Sequence, residues 1–214
     1  MIEKVPHPCK YSQYGCDVKK PLKEIIEHEA KCPERTIKCP GLLCKEKVKI
    51  GKYYEEHAMK KSECNRTPFI AQTKLERETR CNIEVDSIEN YPLKDRVWKL
   101  KAYETQGKIF YMHPCYFASE KNFAFYITMA ENSSEAGKYL AQITLKNQND
   151  ERKCLTNVQD VMSMDSAPSD KNEVLEAKGV MLVPWRTMSK FLMWTIKEDG
   201  KQAASIKPTI DIIV

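Results

Sequence analysis

At 214 residues, with 42% hydrophobic residues and nine cysteines, the chain is long enough for a metal-built module and a separate domain with its own core. Its net charge of +5 is not gathered into a stripe: residues 1–75 hold 16 basic and 10 acidic residues, and the remainder holds 19 and 20. That distribution disfavours nucleic acid as a partner, and the lack of any apolar run of about 18 residues argues against a transmembrane helix.

The N-terminal segment MIEKVPHPCK lacks the apolar core of a secretion signal. Nine cysteines without such a signal point to reduced thiols bound to metal, in the cytoplasm or nucleus, and not to disulfides. Two quartets of ligand-type residues follow. Cys9, Cys16, His28 and Cys32 form the first, and Cys39, Cys44, His57 and Cys64 form the second. Corresponding members lie 30, 28, 29 and 32 residues apart, so residues 1–66 read as a tandem repeat of two zinc fingers.

Each quartet suits a tetrahedral zinc ion, with two cysteines on a knuckle and two ligands on a following helix. In the first, Cys9 and Cys16 flank KYSQYG, and Gly15 marks the turn. Pro21 is placed to open a helix that carries Leu22, Ile25 and Ile26 on one face, with His28 and Cys32 four apart. In the second, Ile50, Tyr53, Tyr54 and His57 form a helical stripe. Cys64 completes that set by elimination, although six residues separate it from His57 where the first finger has three between its last ligands. Both sites read as structural, because four protein ligands leave no open position for water or substrate. A module this small cannot hold itself together by apolar burial, so chelation is expected to unfold residues 9–64 and to leave the C-terminal domain mostly intact.

Residues 67–80 read as a polar connector, and residues 81–214 then turn to β patterning. Strands are expected at Asn82–Ile88, Val97–Tyr103, Lys108–His113, Asn122–Glu131, Lys138–Lys146, Cys154–Val158, Gly179–Val183, Phe191–Ile196 and Ser205–Val214. Trp98, Leu100 and Ala102 are expected on one face. Phe123, Phe125, Ile127 and Met129 mark another, as do Tyr139, Ala141, Ile143 and Leu145. About eight short strands, each with one buried face, read as an antiparallel β-sandwich. Ser163–Asn172 reads as a polar loop, and one helical turn is expected after Val183-Pro184. His113 and Cys115 suggest a thiol nucleophile only weakly, since no third orienting group is identifiable. The tryptophans read most simply as core aromatics.

The succession PCKYSQYGC, HEAKC, CPGLLC, and then KYLAQITL, KCLTNVQDVMSMD and GVMLVPWRTMSKFL resembles the seven-in-absentia family of ubiquitin ligases. The resemblance covers nearly the whole chain. It implies two structural zinc ions and a TRAF-like sandwich that dimerises and binds degron peptides as an added strand, with a Val-x-Pro core preferred. The receiving strand falls at Val97, Trp98, Lys99, Leu100, Lys101, Ala102 and Tyr103. Only eight residues precede Cys9, so the RING that gives the family its ligase activity is not expected on this chain. The implied role is a substrate-recognition adaptor that directs or competes with ubiquitin-dependent proteasomal degradation, with other ligase family members as further partners. The alternative is a fragment of a complete RING ligase.

Overall fold

The computed structural model describes residues 5–39, 44, 46–50, 57, 81–84, 94–98, 101–105, 107–147, 150, 152–196, 202–206 and 208–213. It is mostly β, with few helices. Side chains of Cys81–Glu84, Trp194–Ile196 and Gln202–Ile206 are outside the description.

In the first repeat, β1 (His7–Pro8) pairs with β2 (Lys19–Lys20) antiparallel. Between them a single 3-10 turn, Ser12–Tyr14, ends on Gly15 at φ +106°, a backbone state that favours glycine. Helix α1 (Leu22–Lys31) starts after Pro21, whose φ of −52° suits a helix entry. The expectation of one apolar helix face is corrected here. Ile25 is buried, but Leu22 and Ile26 are 44% and 59% exposed. Among the described residues the finger's interior holds Cys9, Cys16, Ile25 and Cys32, edged by Tyr11 and Val18, so one aliphatic side chain of α1 fills it. The second repeat opens with a hairpin of β3 (Thr36–Lys38) and β4 (Lys47–Lys49), in which Ile37 faces Val48.

The largest sheet is built on β8 (Lys108–Phe117) and β9 (Asn122–Met129). Outside β8 lie β6 (Arg96–Val97) and β7 (Lys101–Thr105), both antiparallel to it. Outside β9 lie β12 (Met162–Ser163), parallel, and β13 (Met181–Pro184), antiparallel. The turn between β7 and β8 uses Gly107 at φ +68°. A second sheet has the order β11 (Cys154–Asp160), β10 (Leu140–Lys146), β16 (Pro208–Ile213), all antiparallel. A third has the order β14 (Met193–Ile196), β15 (Gln202–Ile206), β5 (Cys81–Glu84).

One core lies between the first two sheets. Phe110, Met112, Tyr116, Phe123, Phe125, Ile127 and Met129 meet Tyr139, Ala141, Ile143, Leu145 and Ile210 there. Phe123 sits between Trp98 (centroids 5.9 Å apart, 12°) and Trp185 (5.8 Å, 16°). Trp98 and Trp185 are therefore core aromatics, and Trp185 opens the expected helical turn, α4 (Trp185–Met188).

Three strand expectations need correction. First, β8 and β9 are buried on both faces, not one. On the second face, Cys115, Phe117, Ala124 and Tyr126 are covered by Val174 and Leu175 of a helix, α3 (Lys171–Glu176), which begins at the end of the Ser163–Asn172 segment read as loop. Tyr111 is covered by the second repeat. Helix α3 has a reciprocal N-terminal cap: Asp170 accepts from Glu173 N at 3.0 Å, and Ser169 N, one residue before the N-cap, donates to Glu173 Oε2 at 2.6 Å. Second, Ser205–Val214 is two strands. β15 joins β14 and β5, whereas β16 starts at Pro208 opposite Leu145 and joins β10. Proline has no N–H to donate to a ladder, and the first position of a strand tolerates it.

The third concerns Val97–Tyr103. Val97 pairs with Cys115, but Lys101 pairs with Met112, so the register moves by one residue on passing Pro114. Trp98 N still donates to Pro114 O at 3.0 Å, while Pro114 offers no amide in return. A one-residue shift turns later side chains to the opposite face. Trp98 consequently packs on the core between the sheets, with Tyr103, while Ala102 faces the second repeat.

Candidate metal centres

The first cluster is assembled by three pieces of local structure. Cys9 follows β1, Cys16 follows the Gly15 turn, His28 is on α1, and Cys32 caps that helix. All four ligand atoms lie within 4.8 Å of one another. Cys9 Sγ and Cys32 Sγ are 3.9 Å apart, and Cys16 Sγ is 3.2 Å from His28 Nε2. A tetrahedral ion with sulfur at ~2.3 Å and nitrogen at ~2.0–2.1 Å has edges of about 3.5–3.8 Å. These separations fit that ion and are far too long for a disulfide. Burial is the largest influence on Cys32, and with the neighbouring Cys16 and Cys9 thiols it pushes Cys32 up to about 12 against an opposing backbone hydrogen bond from Glu34. A bound cation would favour the thiolate form of these ligands.

The second cluster brings Cys39, Cys44 and His57 within 4.8 Å of one another, all buried. Cys39 directly follows β3, and its amide donates to Glu46 O at 2.8 Å. Cys44 Sγ is 3.5 Å from His57 Nε2. On the other side of the ring, Glu46 Oε2 lies 3.5 Å from His57 Nδ1. Glu46 was not singled out from the sequence, although it is the one acid in the basic run KEKVK. Cys64, Tyr53 and Tyr54 lie outside the described residues. Each cluster could thus hold one metal ion.

The clusters differ in what surrounds them. Cys39 and Cys44 share an apolar cluster with Ile37 of the hairpin and with Tyr111 and Met164 of the sheet domain, edged by Val48, Ile50, Ala102 and Ile109. Arg35, its side chain 7% exposed, pairs with Asp165 Oδ2 at 2.6 Å and donates to Ala30 O at 2.9 Å and Ala130 O at 3.4 Å. Asn132 Nδ2 also donates to Ala30 O, at 3.4 Å. A cavity of about 370 Å³ opens at this seam, between Lys38 and Cys39 on one side and residues 164–169, Glu173 and Ala177 on the other.

Of the expected peptide-binding strand, Val97, Trp98, Lys101, Ala102 and Tyr103 are described, and Lys99 and Leu100 are not. β6 and β7 form one margin of the six-stranded sheet, and among the described residues no strand pairs with their outer side. Val97 is exposed.

Cys115 and His113 are both enclosed. Cys115 donates to Ala124 O at 3.6 Å, while His113 Nε2 is 2.8 Å from Thr128 Oγ1 and its ring stacks on Tyr126 at 4.4 Å. Burial lowers His113 to about 3, so it is neutral in the folded protein. No described helix is long and apolar enough to cross a membrane. The chain matches no protein-family model and no curated protein.

Proposed function

We propose that the chain is a zinc-stapled protein-recognition module of the seven-in-absentia type, in which a TRAF-like sandwich takes partner peptides as an added strand beside β6 and β7. The carrying observation is that β6 and β7 form a margin of that sheet, beside which no further strand lies among the described residues. An unpaired strand edge is a template for an incoming strand, with backbone groups supplying affinity and alternate side chains supplying specificity.

Zinc is the ion of choice for both clusters, because thiolate and imidazole donors in tetrahedral spacing select it. Cys9, Cys16, His28 and Cys32 close the first site, and Cys64 is the proposed fourth ligand of the second. Both ions then act as structural staples. Homodimerisation belongs to the same reading: Leu140, Val158 and Ile213 are exposed on the outward face of the β11-β10-β16 sheet, with Leu140 directly opposite Ile213. The biological role would be substrate selection for ubiquitin-dependent degradation.

The test is fluorescence anisotropy with a labelled Val-x-Pro peptide and with the same peptide N-methylated at alternate residues. Strand addition requires saturable binding to the first and loss of binding to one N-methylation phase. An absence of binding, or binding unaffected by either phase, would refute the augmentation reading while leaving the protein itself unaltered.

A further inference from the structure

We propose that Glu46 is the positioning residue of the second metal centre, fixing the ring of His57 so that Nε2 faces the ion. This rests on the reading that Cys39, Cys44 and His57 hold a metal. Three observations place Glu46 there.

The β3–β4 ladder pairs Lys38 with Lys47, and the next position inward puts Glu46 opposite Cys39. The Glu46 carbonyl accepts the Cys39 amide at 2.8 Å, so its backbone is tied to one ligand. Its carboxylate lies 3.5 Å from Nδ1 of His57, while Nε2 of the same ring is 3.5 Å from Cys44 Sγ. One residue thus connects two ligands, one through the backbone and one through the side chain.

The chemistry follows from the two nitrogens of imidazole. A neutral ring carries one proton. A carboxylate at Nδ1 accepts that proton as a hydrogen bond, which leaves the Nε2 lone pair for the metal and makes the ring a stronger donor. His57 is 5% exposed, so water has little access to do the same job. The first centre provides the contrast: among the described residues no carboxylate lies within ion-pair distance of His28. There Glu29 instead accepts from Lys10 N at 2.8 Å, and so secures the loop just after Cys9.

The experiment is a cobalt titration of the full chain, stripped of metal under reducing conditions, with the thiolate-to-cobalt and ligand-field bands read at each step. Wild-type protein should take up two ions. Glu46→Ala should weaken the second centre relative to the first by about tenfold or more, the scale of an outer-shell carboxylate, and should alter only that centre's ligand-field band. Glu46→Gln, which keeps the shape and an acceptor oxygen but not the charge, should fall between. Glu46→Gln also covers the case in which the alanine variant does not fold. An unchanged affinity ratio and unchanged bands in Glu46→Gln and Glu46→Ala would overturn the positioning role. Uptake of fewer than two ions by wild-type protein would instead overturn the metal reading on which it rests.

Discussion

The two candidate metal centres draw on the same donor types, cysteine thiol and histidine imidazole, yet they are held in different ways. The first is enclosed by its own finger: Cys9, Cys16, Ile25 and Cys32 form its interior, and the edges are Tyr11 and Val18. The second is enclosed in part by another region of the chain, since Cys39 and Cys44 share their apolar cluster with Tyr111 on β8 and with Met164. A repeated ligand pattern therefore need not produce two equivalent modules. What decides is whether a finger's side chains can be covered locally or need a neighbour's surface.

The largest expected effect comes from separating the two centres. Cys44→Ser should destabilise the sheet domain itself, by on the order of 2–5 kcal/mol, as a large core defect does. Cys9→Ser should unfold the first finger and leave the sheet domain's urea transition in place. Trp98 and Trp185 pack in the sheet-domain core, so tryptophan fluorescence during urea unfolding reads this domain. An unshifted transition in Cys44→Ser would mean that the seam carries no energy. The expectation that chelation spares the C-terminal domain should accordingly hold for the first centre and fail for the second.

Next in size is Arg35. Removing one partner of a buried pair leaves the other partner's interactions unmet, but Asp165 is 36% exposed and water offsets part of the loss. Arg35→Ala should cost about 1–3 kcal/mol. A double-mutant cycle with Asp165→Ala should return a coupling energy, and a value near zero would place the seam's strength in its apolar part alone.

The sheet domain also has a pH signature. His113 titrates near 3 when folded and at its ordinary value of 6.5 when unfolded, because burial disfavours its charged form. Its contribution is complete above pH 6.5. Below that the unfolded chain binds the extra proton, so stability falls at up to ~1.4 kcal/mol per pH unit towards pH 3. His113→Asn should be less stable at pH 7 and show a flatter slope between pH 6.5 and 5. An unchanged slope would remove His113 as its source.

The smallest effect should be at Lys49. Its Nζ donates to Glu34 Oε2 at 2.6 Å and to Tyr14 O, joining the hairpin of the second finger to the first. Lys49→Ala should cost about 0.5–1 kcal/mol. Amide exchange should quicken around residues 11–16 and stay unchanged on β8 and β9.

How much of this could be read from the residues varies from element to element. The Cys9–Cys32 set was legible because its ligands lie close in sequence and a single short helix carries one of them and is capped by another. The inward faces of β9 and β10 were legible because strict alternation follows from the pleat. Leu22 and Ile26 misled, because helical periodicity names a face without saying whether anything is large enough to cover it. Helix α3 was missed although Ser169-Asp170 and Glu173 spell an N-terminal cap, since its apolar part is only Val174-Leu175. Glu46 was overlooked because its importance depends on a ring that returns to it eleven residues later.

By itself, then, the sequence determined the groupings Cys9, Cys16, His28, Cys32 and Cys39, Cys44, His57, the first finger's local build and the alternation that makes the second half β. Those features arise within a few turns or a few pleats, where spacing is geometry. Tertiary structure alone decided that β8 and β9 are buried twice, that the second Cys/His cluster is part of the seam with the sheet domain, and that Trp98 and Ala102 face opposite ways. The last of these turns on Pro114, a residue on a different strand. It has no amide proton to give, and the neighbouring ladder moves by one residue as it passes.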